Sequence, residues 1–283
     1  DVSYWQQNVN WSQVASDNVQ FAMLATRFRG NVDPFFAMNA ANASRAGLRL
    51  GAYIYSYATS VEMAQQEADF VLNLIKDYPI SFPVVFDAED ANTLGTLTQS
   101  QVSDVINAFC KRIQDAGYYP MVYANEYWIA NKIDMSKISY DIWVAKYQQK
   151  YTYSKTSMWQ ASNTGSVKGV NGNVDIDYLY KDYTQIIPGN TWRTIAGNRY
   201  YYQNHVMQKA AWINDGQNWY YMNAAGNPSK GWLELSGKKY YLEADGHMIT
   251  GWKTLDGGWR YFDASGEQAT GWCAVDGNWY FMA

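Results

Sequence analysis

Acidic side chains follow two strand-like runs in the first part of the chain. Asp87 and Glu89 come directly after the apolar run 83–86, and Asp175 and Asp177 lie in a second short run. Residues two apart on a strand point to the same side, so each pair presents two carboxylates together. The only two histidines lie beyond residue 200. Ser-His-Asp, Cys-His and multi-histidine zinc chemistry are therefore excluded from the first part, and two carboxylate pairs favour a glycosidase.

Eight strand-like runs can position these acids, with Asp1 opening the first. The runs cover residues 1–5, 21–27, 50–57, 82–89, 118–125, 140–147, 157–161 and 173–179. Segments with helical periodicity separate the first six runs, at 11–17, 34–46, 60–77, 98–116 and 126–133. The alternation predicts an α/β fold, an irregular (β/α)5β3 barrel with right-handed crossovers. Because such barrels place their chemistry at the carboxyl ends of the strands, we expect the acids to share one mouth.

The composition limits the other classes of function. The chain has 283 residues and a net charge of −4, which gives little support to nucleic-acid binding. No apolar run is long enough to cross a bilayer, and the chain shows no metal-binding or cofactor motif, so we predict neither metal nor cofactor. The two cysteines, Cys110 and Cys273, form no disulfide framework. Because the chain opens directly in a strand-like run, we expect the natural chain to begin earlier.

The last third of the chain is a tandem repeat. Tryptophan recurs every twenty residues, at Trp192, Trp212, Trp232, Trp252 and Trp272. An aromatic cluster and a glycine follow each of these positions, which is typical of short β-hairpins that bury their apolar faces against their neighbours. We therefore predict a barrel domain at 1–183, a linker at 184–190 that contains Pro188 and Gly189, and a hairpin-repeat (solenoid) domain at 191–283. A chain cut near Lys181 is then expected to keep a self-contained barrel.

Several segments of the first part resemble glycoside hydrolase family 25, the cell-wall lysozymes of bacteria and their phages. The resemblance covers about residues 1–183 and rests on an ordered set of motifs, at 1–3, 51–57, 86–90, 123–128, 143–147, 159–160 and 172–175. It implies hydrolysis of the β-1,4 bond between N-acetylmuramic acid and N-acetylglucosamine in peptidoglycan. The chain departs from the common pattern at Ala124 and Ala161, which affects subsite details rather than the acid pair.

The resemblance also assigns roles to single residues. Glu89 corresponds to the general acid. Asp87 corresponds to the residue that orients the substrate's acetamido group or stabilises its developing charge, and this acetamido group is the expected nucleophile of a retaining reaction. Asp1 and Asp175 would line the same mouth and raise the pKa of Glu89. The residues expected to stack on sugars are Tyr53, Tyr55, Tyr123, Trp143 and Trp159, although packing inside the barrel explains each of them equally well.

The repeats resemble the choline-binding or cell-wall-binding repeats of bacterial surface proteins, in which aromatic cages hold a quaternary ammonium. A second tryptophan follows the periodic one by seven residues in three units, whereas Arg199 and Lys239 occupy that position in the other two. A fixed cation would repel choline, so we expect choline only in the aromatic cages. These are Trp212 with Trp219 and Tyr240, and Trp252 with Trp259 and Tyr280.

The leading hypothesis is a monomeric muramidase acting outside the cell or at the cell wall, with peptidoglycan as substrate. Its repeats would hold choline-bearing teichoic acid or another wall glycan. Two alternatives remain open at this stage: a non-catalytic glycan-binding surface protein on the same scaffold, and a hydrolase of another N-acetylated glycan such as chitin. Related repeats bind glucans, so the choice between choline and a sugar as the ligand of the repeats also stays open.

Overall fold

The computed structural model describes residues 1–147 and 149–282, which form two compact units. The first unit comprises Asp1–Gly197 with Tyr202–Met207, and the second comprises Asn198–Tyr201 with the chain from Gln208 onward. No described helix is long and apolar enough to cross a membrane. Among the described residues, no group of three or more His, Cys, Asp or Glu side chains is placed to hold a metal ion.

A curled sheet with parallel neighbours over most of its width forms the core of the first unit. Its seven strands lie in the order β1-β4-β5-β6-β7-β8-β9, and only the last pair, β8 and β9, is antiparallel. A small hairpin of β2 and β3 stands apart from this sheet. The strands are β1 (Phe21–Ala25), β2 (Arg27–Phe28), β3 (Asn31–Val32), β4 (Arg49–Tyr55), β5 (Ile80–Asp87), β6 (Pro120–Asn125), β7 (Asp141–Ala145), β8 (Thr156–Gly165) and β9 (Val174–Leu179).

Five α-helices precede or connect the first strands, as the periodicity predicted. Side-chain caps begin four of them: the Asn10, Ser60, Thr98 and Asn125 side chains accept hydrogen bonds from the first turns. The helices are α1 (Trp11–Ser16), α2 (Phe36–Arg45), α3 (Val61–Ile75), α4 (Gln99–Asp115) and α5 (Glu126–Asn131). Cys110 is fully buried on α4, where the apolar stripe of that helix packs inward. The predicted α/β barrel class is confirmed.

The prediction of a first strand at residues 1–5 is wrong. Only Val2 pairs there, through a single parallel bridge to Leu24, and Tyr4–Gln6 form a 3-10 helix. The cause is local: the Ser3 side chain accepts from the backbone of this turn while Gln6 reaches back to the Ser3 N–H, a reciprocal capping box. Asp1 still lies beside the last strand, because its main-chain nitrogen contacts Asp177 Oδ2 at 2.8 Å.

The predicted linker belongs in part to the core of the first unit. A 3-10 helix at Tyr183–Gln185 follows β9, and Tyr183 and Ile187 are buried in one cluster with Phe82, Met121 and Trp143. Strand β10 (Thr191–Ile195) also lies in this unit, as do the end of β11 (Asn198–Gln203) and β12 (Val206–Met207). The described fold therefore continues well past residue 183, and the predicted domain limits stay a prediction.

The second unit is a row of four antiparallel hairpins. They pair β13 (Ala211–Asn214) with β14 (Trp219–Met222), β15 (Gly231–Leu235) with β16 (Lys238–Leu242), β17 (Gly251–Leu255) with β18 (Gly258–Phe262), and β19 (Gly271–Val275) with β20 (Asn278–Met282). Asp256 and Gly257 at one hairpin tip both have positive φ, as a type I′ turn requires. Connecting segments join neighbours: the Met248 N–H donates to Trp219 O, and the Gln268 N–H donates to Lys239 O.

Candidate active site

A cavity of about 420 Å³ opens at the carboxyl ends of the barrel strands, and the predicted acids line it. Asp87 is the last residue of β5, Glu89 follows in the next loop, and Asp175 comes from β9. Chain order separates these acids by almost ninety residues, and the curled sheet brings them together with Asp1. The predicted residues that line the cavity are Asp1, Asp87, Glu89, Asp175, Tyr53, Tyr55, Tyr123 and Trp143.

Burial and mutual repulsion raise the pKa values of the three acids at the base of the cavity. Burial is the main cause for each of them, and the Glu89 charge adds to the rise at Asp87. The charges of Asp175 and Asp90 add to the rise at Glu89. Like charges that share a buried site cannot all ionise easily, so this cluster retains a proton at a pH where free carboxyl groups have lost theirs.

The raised pKa of Asp87 predicts that this carboxyl group destabilises the folded state at neutral pH. A raised folded-state pKa means that the contribution to stability is complete below the unfolded value of about 3.9 and is lost as the pH rises through the folded value. We therefore expect Asp87→Asn to raise the Tm at pH 7, by roughly 2–4 °C for each kcal/mol relieved. The gain should vanish near pH 3, as thermal scans across pH would show.

Asp134→Asn is the matched control for that measurement. The Asp134 carboxylate accepts hydrogen bonds from the Ser136 side chain and backbone, which lower its pKa, so its charge favours the fold at neutral pH. Its substitution should leave the Tm at pH 7 unchanged or lower it. A Tm of Asp87→Asn below that of the wild type at pH 7 would contradict the electrostatic argument.

A hydrogen-bonded network fixes the wall beside the acids. Gln160 is buried on β8, its Oε1 accepts from the hydroxyls of Tyr123 and Tyr147 at 2.8 Å each, and its Nε2 donates to Asp1 Oδ2 at 2.8 Å. The Trp143 indole N–H donates to Asp177 at 3.0 Å. Burial and the charges of Glu89 and Asp87 raise the pKa of Tyr123, so its phenol stays protonated and can donate.

Trp159 does not reach the cavity, unlike the other predicted aromatic residues. Its indole N–H donates to Lys146 O at 2.8 Å, and its ring packs against Tyr151 and Tyr178. Neighbours on a strand face opposite sides, and Gln160 takes the inward side at this point. Which of the two faces inward was not clear from the sequence, because bulges after Gln160 interrupt the pairing of β8 with β9. The cavity has other lining residues that we did not predict. Ser3, Tyr57 and Tyr147 lie within segments that carry the family resemblance, whereas Trp5, Ala25, Arg27, Phe28 and Arg29 lie outside them.

Two aromatic groups in the hairpin unit contain residues of the predicted cages. Trp252 meets Tyr280 of the following hairpin edge-on at 4.8 Å between ring centroids, and it meets Trp259 at 6.3 Å. In the other group, Trp212 meets Tyr240 at 5.0 Å. Trp219 and Trp259, which would form the outer walls, are 47% and 67% exposed. A cation–π contact with a small organic cation requires exposed aromatic faces of this kind.

Family models match both parts of the chain. The model described as glycosyl hydrolases family 25 matches residues 1–170. The model of a putative cell wall binding repeat matches 211–227 and 230–248, and the model of a choline-binding repeat matches 249–282.

Individual proteins support the same assignment. The chain is 30% identical over 192 residues to Lysozyme M1 of Streptomyces globisporus, covering 62% of this chain and 65% of that one. It is 31% identical over 187 residues to YegX of Escherichia coli K12, covering 62% of this chain and 67% of that one.

Among solved structures, the CTP1L endolysin is 25% identical with a TM-score of 0.57, covering 66% of this chain and 67% of that one. A lysozyme from Streptomyces coelicolor is 25% identical with a TM-score of 0.53, covering 66% and 93%. The chain therefore belongs to glycosyl hydrolases family 25 and carries choline-binding and cell-wall-binding repeats in its last third.

Proposed function

We propose that this chain is a lysozyme-type hydrolase that cleaves the β-1,4 bond between N-acetylmuramic acid and N-acetylglucosamine in peptidoglycan. The observation that carries the proposal is the cluster of buried Asp87 with half-buried Glu89 and Asp175, at the base of a cavity walled by tyrosine and tryptophan. Aromatic walls suit sugar rings, and carboxyl groups with raised pKa values suit acid catalysis on a glycosidic oxygen. Relatives named as lysozymes support the choice of substrate.

Glu89 is the general acid in this mechanism. Its carboxyl lies in the cavity and holds a proton because burial, Asp175 and Asp90 raise its pKa. That proton passes to the glycosidic oxygen as the bond from this oxygen to C1 of the sugar breaks. The resulting carboxylate then accepts a proton from the water that attacks C1, which restores Glu89 for the next cycle.

Asp87 orients the acetamido group of the substrate. Its side chain is buried, and no described residue donates a hydrogen bond to its Oδ1. The carboxyl of Asp87 lines the cavity, so an acetamido N–H can donate to it while the acetamido carbonyl oxygen bonds to C1. This forms a cyclic intermediate that water opens with overall retention of configuration. Donation from the substrate also favours the ionised form of Asp87, so the shared proton is held at Glu89 when substrate is bound.

The test of the function is the release of reducing sugar from purified peptidoglycan, with chitin as the comparison substrate. We expect turnover of peptidoglycan and little or no turnover of chitin, because the proposed bond joins muramic acid to glucosamine. Mass spectrometry of the products should show N-acetylmuramic acid at the new reducing end. Release of N-acetylglucosamine ends instead, or preferential cleavage of chitin, would overturn the proposed bond specificity.

The repeats tether the enzyme to choline on wall polymers in this proposal. The support is the pair of aromatic groups around Trp212 and Trp252, each completed by a tyrosine from the following hairpin. A cation over an exposed aromatic group gains roughly 0.5–2 kcal/mol, so each cage is weak alone. Two cages on a polymer that displays many cholines bind more strongly together, because the second contact forms at high effective concentration. Such an enzyme acts outside the cell membrane, at the wall.

Trp259→Ala should weaken retention of the protein on a choline-displaying matrix, because it removes the outer wall of one cage. Elution should need roughly three- to tenfold less free choline, in line with the loss of about 1 kcal/mol. Trp5→Ala is the matched control, since Trp5 is also well exposed (68%) but belongs to the first unit. Unchanged elution of Trp259→Ala, or a loss shared by Trp5→Ala, would contradict the cage assignment.

A further inference from the structure

A second kind of pocket lies within the hairpin unit, between two of the predicted choline cages in chain order. It has a volume of about 440 Å³ and draws on hairpins β15–β16 and β17–β18 and on the segment that follows them. Its lining residues are Trp232, Leu233, Glu234, Lys239, Asp256, Arg260 and Gln268. All of them belong to the second unit, far along the chain from the catalytic acids.

The twenty-residue spacing shows which cage positions this pocket has changed. Each aromatic cage combines a periodic tryptophan, a second tryptophan seven residues later and a tyrosine twenty-eight residues after the first. The corresponding residues here are Trp232, Lys239 and Arg260. Two of the three walls are therefore cations, where the other cages have aromatic rings. A quaternary ammonium is repelled by such walls, so this pocket is unsuited to choline.

The indole of Trp232 remains as a fixed platform. Its N–H donates to Asp256 Oδ2 at 3.3 Å, and Tyr241 and Phe262 lie 5.3 and 6.0 Å away between ring centroids. These neighbours hold the ring, yet 42% of the side chain is exposed. A rigid, partly exposed indole offers a flat apolar surface to a ligand at low cost in conformational entropy.

The polar side chains around this platform balance in charge and alternate in hydrogen-bonding character. Glu234 and Asp256 supply carboxylate acceptors, Lys239 and Arg260 supply cationic donors, and Gln268 supplies an amide that can do both. Glu234 and Lys239 are direct partners across the hairpin, so a donor and an acceptor stand side by side. Two carboxylates oppose a simple anion, and two cations oppose an ammonium group. A neutral ligand rich in hydroxyl groups meets both sets.

We propose that this pocket is a sugar-binding subsite that takes a neutral pyranose unit of a cell-wall polymer. The ring stacks on Trp232, its hydroxyls donate to Glu234 and Asp256, and they accept from Lys239, Arg260 and Gln268. The array then alternates two ligand chemistries, an ammonium at the cages and a sugar between them. A wall polymer that carries both groups engages the tail at several points, which raises retention beyond that of either site.

The test is NMR titration of the full-length protein, with the indole N–H signal of Trp232 assigned by comparison with Trp232→Phe. The probes are the methyl glycosides of glucose, N-acetylglucosamine and N-acetylgalactosamine, together with sodium phosphate and choline chloride. We expect at least one neutral glycoside to shift the Trp232 signal with a millimolar Kd. Glu234→Gln and Asp256→Asn should each weaken that binding by roughly tenfold, the loss typical of a hydrogen bond to a charged group.

Glu267→Gln is the matched control, because Glu267 pairs with Lys238 at 2.6 Å and does not line the pocket. Binding of the glycoside should be unchanged in that variant. Absence of any glycoside-dependent shift at Trp232 would overturn the proposal. So would a shift produced by phosphate and lost in Lys239→Met, which would make the pocket an anion site, or a shift produced by choline. Choline shifts at Trp212 and Trp252 are read in the same spectra, so failure of the cages and failure of this subsite are distinguishable.

Discussion

Glu89→Gln is expected to fold normally and to lose nearly all hydrolysis of peptidoglycan. The amide matches the carboxyl in shape but cannot deliver a proton to the glycosidic oxygen, and general acid catalysis contributes on the order of 10²–10⁴-fold to a rate. The effect should fall on kcat more than on KM, because the proton moves only in the transition state. Reducing-sugar release from purified walls measures the loss of hydrolysis. The dependence of the rate on the concentration of soluble fragments separates kcat from KM.

Glu126→Gln is the matched control for that substitution. Glu126 also follows a barrel strand, but it pairs with Lys146 at 2.9 Å and accepts hydrogen bonds from Thr152. Burial alone would raise its pKa, yet these contacts lower the pKa to about 2, so Glu126 is ionised and cannot act as an acid near neutral pH. Its amide variant should keep most of the wild-type kcat. Wild-type turnover by Glu89→Gln would overturn the mechanism, and equal losses in both variants would indicate damage to the fold.

The acid cluster could be predicted because its signal is local. Asp87 and Glu89 directly follow the apolar run of β5, and the carboxyl ends of parallel strands meet at one mouth. The sequence predicted the direction of the pKa shift but not its main cause, because that cause is burial and burial depends on how the whole barrel packs. The network through Gln160 depends on which side of β8 faces inward, and bulges between Gln160 and Gly165 in the pairing of that strand obscure the alternation.

The incorrect prediction of a first strand at 1–5 had a sequence signal that favoured another structure. The segment Ser3-Tyr4-Trp5-Gln6 carries the Ser-x-x-Gln pattern of a capping box, which competes with extension of the first strand. A second comparison concerns the third residue of each repeat cage, which lies twenty-eight residues after the periodic tryptophan. This residue is Tyr240 in one unit and Tyr280 in another, but Arg260 in the unit of Trp232. Replacing Lys239 alone by tryptophan would leave this second cation in place, so that single change is insufficient to create a third choline cage. All three cage residues of each repeat must therefore be compared before a ligand is assigned to it.

The end of the first folding unit could not be predicted, because the apparent linker contributes single buried side chains rather than a periodic pattern. Ile187 lies between Thr184 and Pro188-Gly189, yet it is only 6% exposed. Arg193 is 1% exposed, with its guanidinium carbon 3.9 Å from the ring centroid of Tyr118 and 4.3 Å from that of Tyr202. The Tyr202 hydroxyl donates to Lys76 O at 2.8 Å. We propose that the first folding unit ends near Met207. The first repeat then stabilises the barrel and does not bind the cell wall.

A chain ending at Lys181 is accordingly expected to melt more than about 10 °C below a chain ending at Met207. The shorter chain lacks Tyr183 and Ile187, and loss of a large buried side chain costs roughly 2–5 kcal/mol, or about 2–4 °C per kcal/mol in a unit of this size. Calorimetry of both chains measures the difference. The chain ending at Met207 should still cleave soluble glycan fragments and should lose activity on intact walls, where the tether is missing.

Full-length Arg193→Ala tests the same boundary without truncation. It removes a cation held between two buried rings, a contact worth roughly 2 kcal/mol when desolvated, and should lower the melting transition of the first unit while choline retention by the second is unchanged. Equal melting temperatures for the chains ending at Lys181 and Met207 would restore the linker at 184–190 and contradict the boundary proposed here. Melting temperatures that differ as expected would mean that the first repeat has become part of the barrel domain. The buried contact of Arg193 with Tyr118 and Tyr202 would then be one of the interactions that hold it there.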